Sequence, residues 1–282
     1  MRVILRWTCS PAAHGVDLRL ARFRRVLRAA QRTSGYQPFL ESAGLASPEA
    51  LASVDSVERT LERLPAIDLG EFCSSRAAFE SPGGSHPTPQ TFRSPLEQTP
   101  KTAILMAGFQ PASGIKVMTQ NWSQGLKRFG ASALAAPVGV LRSLAEAVET
   151  GEQDAPSLRH FVVSFTGGEQ GELAEDDRER FWRVFQVPVF EQRLGFDGRV
   201  IAYECEAHDG LHIVPERAAI EETAHSELLL TSLTDLRHPT LRVGTRLAGS
   251  IRHDCCDCGN AASRLIGAGP LPAPQLLTAT AY

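Results

Sequence analysis

Along the first third of the chain, apolar residues recur at helical spacing. From Leu18 to Thr33 the positions Leu18, Ala21, Phe23, Val26, Leu27 and Ala30 are apolar, while Arg19, Arg22, Arg25, Arg28 and Arg32 fall largely on other faces. The pattern predicts an amphipathic basic helix that packs its stripe on the body of the protein and leaves its arginines solvated. Two short helices are expected next. Ser47 before Pro48 and Glu49 offers an N-cap with proline at the first helical position, and Asp55 with Glu58 offers a capping-box-like start. Between Glu80 and Pro100 helical patterning stops, and five prolines, two adjacent glycines and several Ser and Thr mark a linker or loop.

Helical periodicity returns at 119–129 and at 138–149, where Val140, Leu141, Leu144, Ala145 and Val148 form a stripe ended by Gly151. The apolar, β-branched run 159–165 leads directly into Thr166, Gly167, Gly168 and Glu169, a strand ending in a tight turn. A helix at 173–185 and a strand at 187–191 complete a strand-helix-strand unit of the kind that builds parallel sheet. The spacing then shortens to strands near 199–205, 211–214, 227–233 and 239–243. The expected fold class is therefore α/β, turning to α+β with antiparallel ribbons toward the C-terminus. The chain divides into a helical N-terminal segment (1–79), a Pro/Gly-rich linker or loop (80–115), an α/β domain (116–268) and a tail (269–282).

Composition narrows the function. The 282 residues are 43% hydrophobic and 22% charged, an ordinary globular balance with room for one large domain or two small ones. With 29 lysines and arginines against 32 acids the formal charge is -3, which argues against a broad nucleic-acid-binding surface. The apolar run at the N-terminus is too short for a signal-peptide core, and no apolar stretch reaches the roughly 18 residues of a membrane span. A cytoplasmic protein without membrane or nucleic-acid partners is expected.

Six cysteines are too few for a disulfide scaffold in a chain of this length, and four of them fall between 205 and 258 beside histidines. Cys205 ends one expected strand and His212 sits in the next, across a turn at His208, Asp209 and Gly210, so a hairpin sets this pair side by side. Cys256 and Cys258 belong to the turn 254–259, where Gly259 lets the chain bend around a metal and Cys255 competes as a ligand. Thiolates and imidazole are the ligands that zinc takes in a tetrahedron. Four protein ligands leave no open position, so Cys205, His212, Cys256 and Cys258 are expected to form a structural zinc site.

At these residues a family resemblance emerges. Ala202-Tyr-Glu-Cys-Glu-Ala-His-Asp-Gly-Leu-His-Ile213, Ser226-Glu-Leu-Leu-Leu-Thr-Ser-Leu-Thr234 and the Cys-Asp-Cys-Gly259 turn resemble the phenylacetate-CoA ligase-like branch of the adenylate-forming enzymes. The similarity runs from about 130 to 267, and Gly35-Tyr-Gln-Pro-Phe39 through Leu64-Pro65 is similar to the family's opening helices. It implies part of an adenylate-forming N-terminal-type domain, and a reaction in which ATP turns a small carboxylate into an acyl-adenylate with release of pyrophosphate before acyl transfer to CoA. It further implies nucleotide contacts at Thr166, Gly167, Gly168, Glu169, Arg242 and Thr245, a catalytic acid at Asp197, and ATP/AMP with Mg as cofactors.

The departures are as informative as the matches. No Ser-Ser-Gly-Thr-Thr-Gly-type phosphate loop is present, Ser81-Pro-Gly-Gly-Ser85 being the nearest segment. Arg193 stands at the aromatic position before Asp197, and Leu247 stands where the ribose-binding acid belongs. Leucine accepts no hydrogen bond from a hydroxyl. The mobile domain carrying the family's lysine has no counterpart in this sequence. The expectation is a degenerate ligase-like protein with a zinc-stabilised fold that makes little use of ATP or Mg alone. The alternatives are a ligase completed by a partner chain, or a non-catalytic interaction protein that binds a carboxylate, a nucleotide or another protein. Neither Cys255 nor Cys73 has the histidine and acid context of a nucleophile.

Overall fold

The computed structural model describes residues 13–271 other than 86, 87 and 121. The expectations for the N-terminal run and for the tail beyond 271 lie outside the described residues. Among the described residues the strands join one eleven-stranded mixed sheet, in the order β2-β1-β3-β4-β5-β6-β7-β11-β10-β9-β8.

The helical start is built as the periodicity predicts, with one change in its exposed face. Helix α1 (Ala13–Ala30) buries Phe23, Val26, Leu27 and Ala30 completely, but Leu18 remains 46% exposed. Its arginines are not simply solvated: Arg19 pairs with Glu58, and Arg24 donates to the Val54 carbonyl at 2.8 Å. Four short helices follow, α2 (Gln37–Ser42), α3 (Pro48–Ala52), α4 (Val57–Leu61) and α5 (Leu69–Ser74). Ser47 caps α3 as expected. The cap of α4 is Ser56, whose hydroxyl accepts from the Arg59 amide at 3.3 Å; Asp55 instead pairs with Arg59 at 2.9 Å. These helices pack around Tyr36, Leu40, Leu61 and Phe72 and lean on Leu241 and Val243 from the far end of the sheet.

The stretch 80–115 is largely irregular, but it is tied into the core. It contributes β1 (Thr102–Ile104), begins β2 (Ile115–Val117), and buries Phe92 and Phe109 with Phe161 and Phe165. The short β1 lies between parallel neighbours, where both faces are covered. Helix α6 (Trp122–Phe129), β3 (Ala133–Pro137), α7 (Val138–Glu149), β4 (Val162–Thr166), α8 (Glu175–Phe185) and β5 (Val189–Leu194) then form two crossover units in the parallel half. Alternation along 161–165 divides the layers: Val162 faces the α7 and α8 side with Leu141, Leu144 and Phe181, while Phe161, Val163 and Phe165 face the phenylalanine cluster.

From the β5–β6 pair onward the strands of the sheet pair antiparallel, and a parallel bridge ties Ile67 to Val243. Strands β6 (Val200–Glu204), β7 (Leu211–Ile213), β8 (Ala218–Glu222), β9 (Glu227–Ser232), β10 (Val243–Arg252) and β11 (Arg264–Pro270) complete the sheet. The strand expected at 239–243 starts only at Val243, because Pro239 gives no ladder donor and Arg242 is left-handed at φ 49°. It then continues to Arg252 through Gly244 and Gly249, a span whose weak alternation hid it. No helix among the described residues is long and apolar enough to cross a membrane.

Candidate metal centre

Sheet order brings the metal-binding candidates together. The β6–β7 hairpin carries Cys205 and His212, the β10–β11 hairpin carries Cys256 and Cys258, and β7 pairs with β11 so that Arg264 lies opposite His212. Gly210 permits this approach. It is left-handed at φ 81°, and a Cβ there would sit 2.7 Å from the Leu265 carbonyl oxygen.

The donor atoms of Cys205, His212, Cys256 and Cys258 all lie within 4.8 Å of one another, forming a group able to hold a metal ion. The Cys205 and Cys256 sulfurs are 3.7 Å apart, and Cys258 Sγ is 3.3 Å from His212 Nε2. Zn–S bonds of about 2.3 Å and Zn–N bonds of about 2.0 Å in a tetrahedron require edges of roughly 3.8 and 3.5 Å, close to these two separations. Cys255, the competing ligand, is outside the group: it is exposed, with its sulfur 4.0 Å from the Asn260 carbonyl oxygen.

The surroundings prepare these groups as ligands. His212 Nδ1 is 3.4 Å from the Ala262 carbonyl oxygen, which assigns the ring proton to Nδ1 and leaves the Nε2 lone pair toward Cys258. Burial, together with the charges of Arg264 and Arg93, holds the imidazole below its ordinary pKa and hence neutral at pH 7. Burial pushes the Cys205 thiol up to about 12. Burial also opposes ionisation of Cys256, but hydrogen bonds from the Cys258 backbone and the neighbouring thiols outweigh it and lower its pKa. A cation between the sulfurs reverses the penalty on Cys205, because a metal stabilises the thiolate that burial disfavours.

Four residues outside the Cys/His group, Arg264, Tyr203, Asn260 and Arg93, hold this arrangement. Fully buried Arg264 bonds Asp209 in one hairpin turn and Asp254 in the other, the latter at 2.8 Å. Tyr203 OH accepts from Asn260 Nδ2 at 2.8 Å and from Arg93 at 2.7 Å, and the Arg93 guanidinium lies 3.7 Å from the Tyr203 ring centroid. Tyr203, Asn260 and Arg264 stand near cysteines in the sequence, whereas Arg93 carries no such signal. Pairing across β7 and β11 is what gives them a common function.

The nucleotide candidates surround a different place. A cavity of about 110 Å³ is lined by Gly167, Gly168, Arg193, Phe196, Thr245 and Leu247, among others. Gly167 is left-handed at φ 82°, and its backbone lies against Leu194. Thr166 donates to Glu191 Oε1 at 2.6 Å, beneath the turn, and Glu169 is exposed in the short 3-10 turn that follows. Arg242 donates to the Leu64 carbonyl and, at 3.1 Å, to Glu221, while Thr245 Oγ1 donates to the Leu228 carbonyl at 2.8 Å. Asp197 lies outside the cavity lining, in the β5–β6 turn, where it accepts from Thr234 Oγ1 at 2.6 Å and from the Arg199 amide at 3.1 Å. The structure therefore gathers Gly167, Gly168 and Thr245 at the cavity and directs Thr166, Arg242 and Asp197 into other bonds.

An ion network closes one side of that cavity. Arg193 pairs with Glu172 and lies 3.2 Å from Glu191, whose other oxygen is 3.4 Å from Arg178. Arg178 also reaches Glu204 at 3.0 Å. Burial raises the Glu191 pKa against the attraction of Arg193.

No family profile matches the chain, and no curated protein matches it. Solved structures do. An open form of 2-hydroxyisobutyryl-CoA ligase, in complex with its acyl-AMP and CoA, superposes with a TM-score of 0.66 at 15% identity, covering 91% of this chain and 74% of that one. The same ligase in its postadenylation state gives a TM-score of 0.66 at 16% identity, covering 91% of this chain and 67% of that one. At such identity the likeness shows the fold alone: this chain has the mixed α/β fold of these ligase structures.

Proposed function

We propose that the chain is a zinc-clasped relative of the phenylacetate-CoA ligase branch that binds its partners without forming an acyl-adenylate by itself. The observation carrying this reading is the cavity at the Gly167-Gly168 turn. Its volume is about 110 Å³, with Arg193 and Leu247 in its wall, whereas small-molecule sites usually occupy ~300–1,000 Å³. An adenylate needs far more room, and Leu247 offers its ribose no acceptor.

In this reading zinc is held by Cys205, His212, Cys256 and Cys258 and supplies structure alone. Four protein ligands exclude the open coordination position from which zinc activates water. The clasp joins the β6–β7 and β10–β11 hairpins, and these hairpins form the wall that carries Thr245 and Leu247.

The test is to incubate purified protein with ATP and a panel of small carboxylates, with and without CoA, and to follow pyrophosphate release. Release at background level is expected. Turnover that requires the carboxylate would overturn the reading, and turnover seen only after adding a separate chain with a lysine-bearing domain would establish a partner-completed ligase instead.

A further inference from the structure

Near the β5–β6 turn, four arginines from distant parts of the chain converge. Arg22 and Arg25 stand one turn apart on α1, Arg199 follows the β5–β6 turn, and Arg217 precedes β8. Arg22, Arg25 and Arg199 line a pocket of about 290 Å³ together with the hydroxyl residues Ser85, Thr88 and Thr234.

Three of the four guanidinium groups, those of Arg22, Arg199 and Arg217, bond carbonyl, hydroxyl or amide oxygens in place of carboxylates. About half of the other described arginines reach a carboxylate, as Arg142, Arg178, Arg193, Arg242 and Arg264 do. None of Arg22, Arg25, Arg199 and Arg217 forms an ion pair among the described residues. Arg22 donates to the Glu216 carbonyl at 2.6 Å, and Arg199 donates to the Thr88 carbonyl at 2.8 Å and its hydroxyl at 3.2 Å. Arg217 donates to Gln90 Oε1 and the Val200 carbonyl, both at 3.1 Å. The buried Arg199 Nε has no acceptor among the described residues. Asp197 and Glu216 are the acids near the group, and Asp197 is already engaged by Ser232, Thr234 and the Arg199 amide.

Burial and the charges of Arg199 and Arg22 hold the Arg217 pKa below its ordinary value, as expected where positive charge is incompletely compensated. Guanidinium forks with adjacent hydroxyls match the oxygens of a phosphate group, which arginine binds bidentately. At ~30 Å³ per water the pocket has room for roughly ten, enough for a phosphate or diphosphate group without a base stacked inside it. We propose that this arginine pocket is a binding site for a phosphorylated small molecule, engaged through its phosphate or diphosphate group. It shares no lining residue with the cavity at Gly167, so the proposal does not rest on the absence or presence of ligase activity.

The probes are pyrophosphate and inorganic phosphate, titrated calorimetrically into the full chain at low and moderate salt, with sulfate for comparison. Arg25→Gln removes an exposed guanidinium that bonds nothing among the described residues, and Arg28→Gln on the same helix is the control for general positive potential. Saturable one-to-one pyrophosphate binding is expected, weakened ten-fold or more by Arg25→Gln and less than two-fold by Arg28→Gln. A melting curve confirms that both variants remain folded. Absence of binding, or equal weakening by the two substitutions, would overturn the proposal.

Discussion

Cys205 and Cys256 hold their sulfurs 3.7 Å apart although they belong to different hairpins. This separation suits two thiolates sharing one tetrahedral ion, and the Ala262 carbonyl keeps the His212 ring turned so that Nε2 faces Cys258.

Metal removal is therefore expected to loosen the ribbon half of the sheet. Purified protein should contain about one zinc per chain by elemental analysis, and Cys256→Ser should lose it. With free zinc ~100–1,000 times its dissociation constant, linkage stabilises the fold by about 3–4 kcal/mol. Chelation should then lower Tm by roughly 10 °C. A metal-free protein with an unchanged melting curve would sink the zinc assignment.

The Cys/His group could be read from the sequence because its chemistry is local: two donors lie across one hairpin and two within one turn. The support around it could not. Arg264 reads as an ordinary strand-edge arginine until β11 pairs with β7 and places Asp209 and Asp254 around it. In the same way α7 and β4 stand out through strong periodicity, whereas β1 is a three-residue strand made buried by its neighbours. Long β10 was obscured by two glycines and by alternation too weak to mark a half-exposed strand. The nucleotide candidates were legible as a turn, but the ion network beside them depends on side-chain geometry. The resemblance implied an aromatic position at Arg193; it gave no sign that Arg193 would pair with Glu172 at the cavity wall.

Gly167 should tolerate no side chain. Its φ of 82° with ψ of 164° is a region used almost solely by glycine, and an added Cβ would lie 2.7 Å from the Leu194 carbonyl oxygen. Gly167→Ala is expected to cost about 2–3 kcal/mol in a denaturant titration, combining backbone strain with the shift of β5 needed to relieve the clash. A loss below about 0.5 kcal/mol would show that the turn is free to rearrange.

Arg193 contributes through charge balance. Its side chain is 5% exposed and sits between Glu172 and Glu191, so Arg193→Met strands buried acid beside an apolar group. Breaking a buried pair from one side typically costs about 3–5 kcal/mol, and the lower end is expected because Arg178 and Thr166 still contact Glu191. Adding Glu191→Gln should recover part of that loss. The double-mutant cycle measures the coupling directly, and strict additivity would contradict the network.

Asp177 provides the acid-sensitive joint between α7 and α8. Its Oδ1 accepts from Arg142 Nε at 2.9 Å, while Oδ2 accepts from Arg142 Nη2 at 2.6 Å and from the Ala174 amide at 3.0 Å. The Arg142 hydrogen bonds, against burial and aided by the Ala174 amide, hold the carboxyl below its ordinary pKa. Because the folded pKa is depressed, this stabilisation is fully present above the unfolded value of about 3.9 and is lost as pH falls through the folded pKa. Arg142 is 42% exposed, so solvent screens the pair and about 1–2 kcal/mol is expected. Asp177→Asn retains an acceptor for Ala174 but removes the charge. It should lower stability at pH 7 by that amount, with the difference from wild type shrinking as the pH drops below about 4. Denaturant titrations from pH 7 downward check the sign, since a difference that grows on acidification would mean that the pair does not stabilise the ionised form.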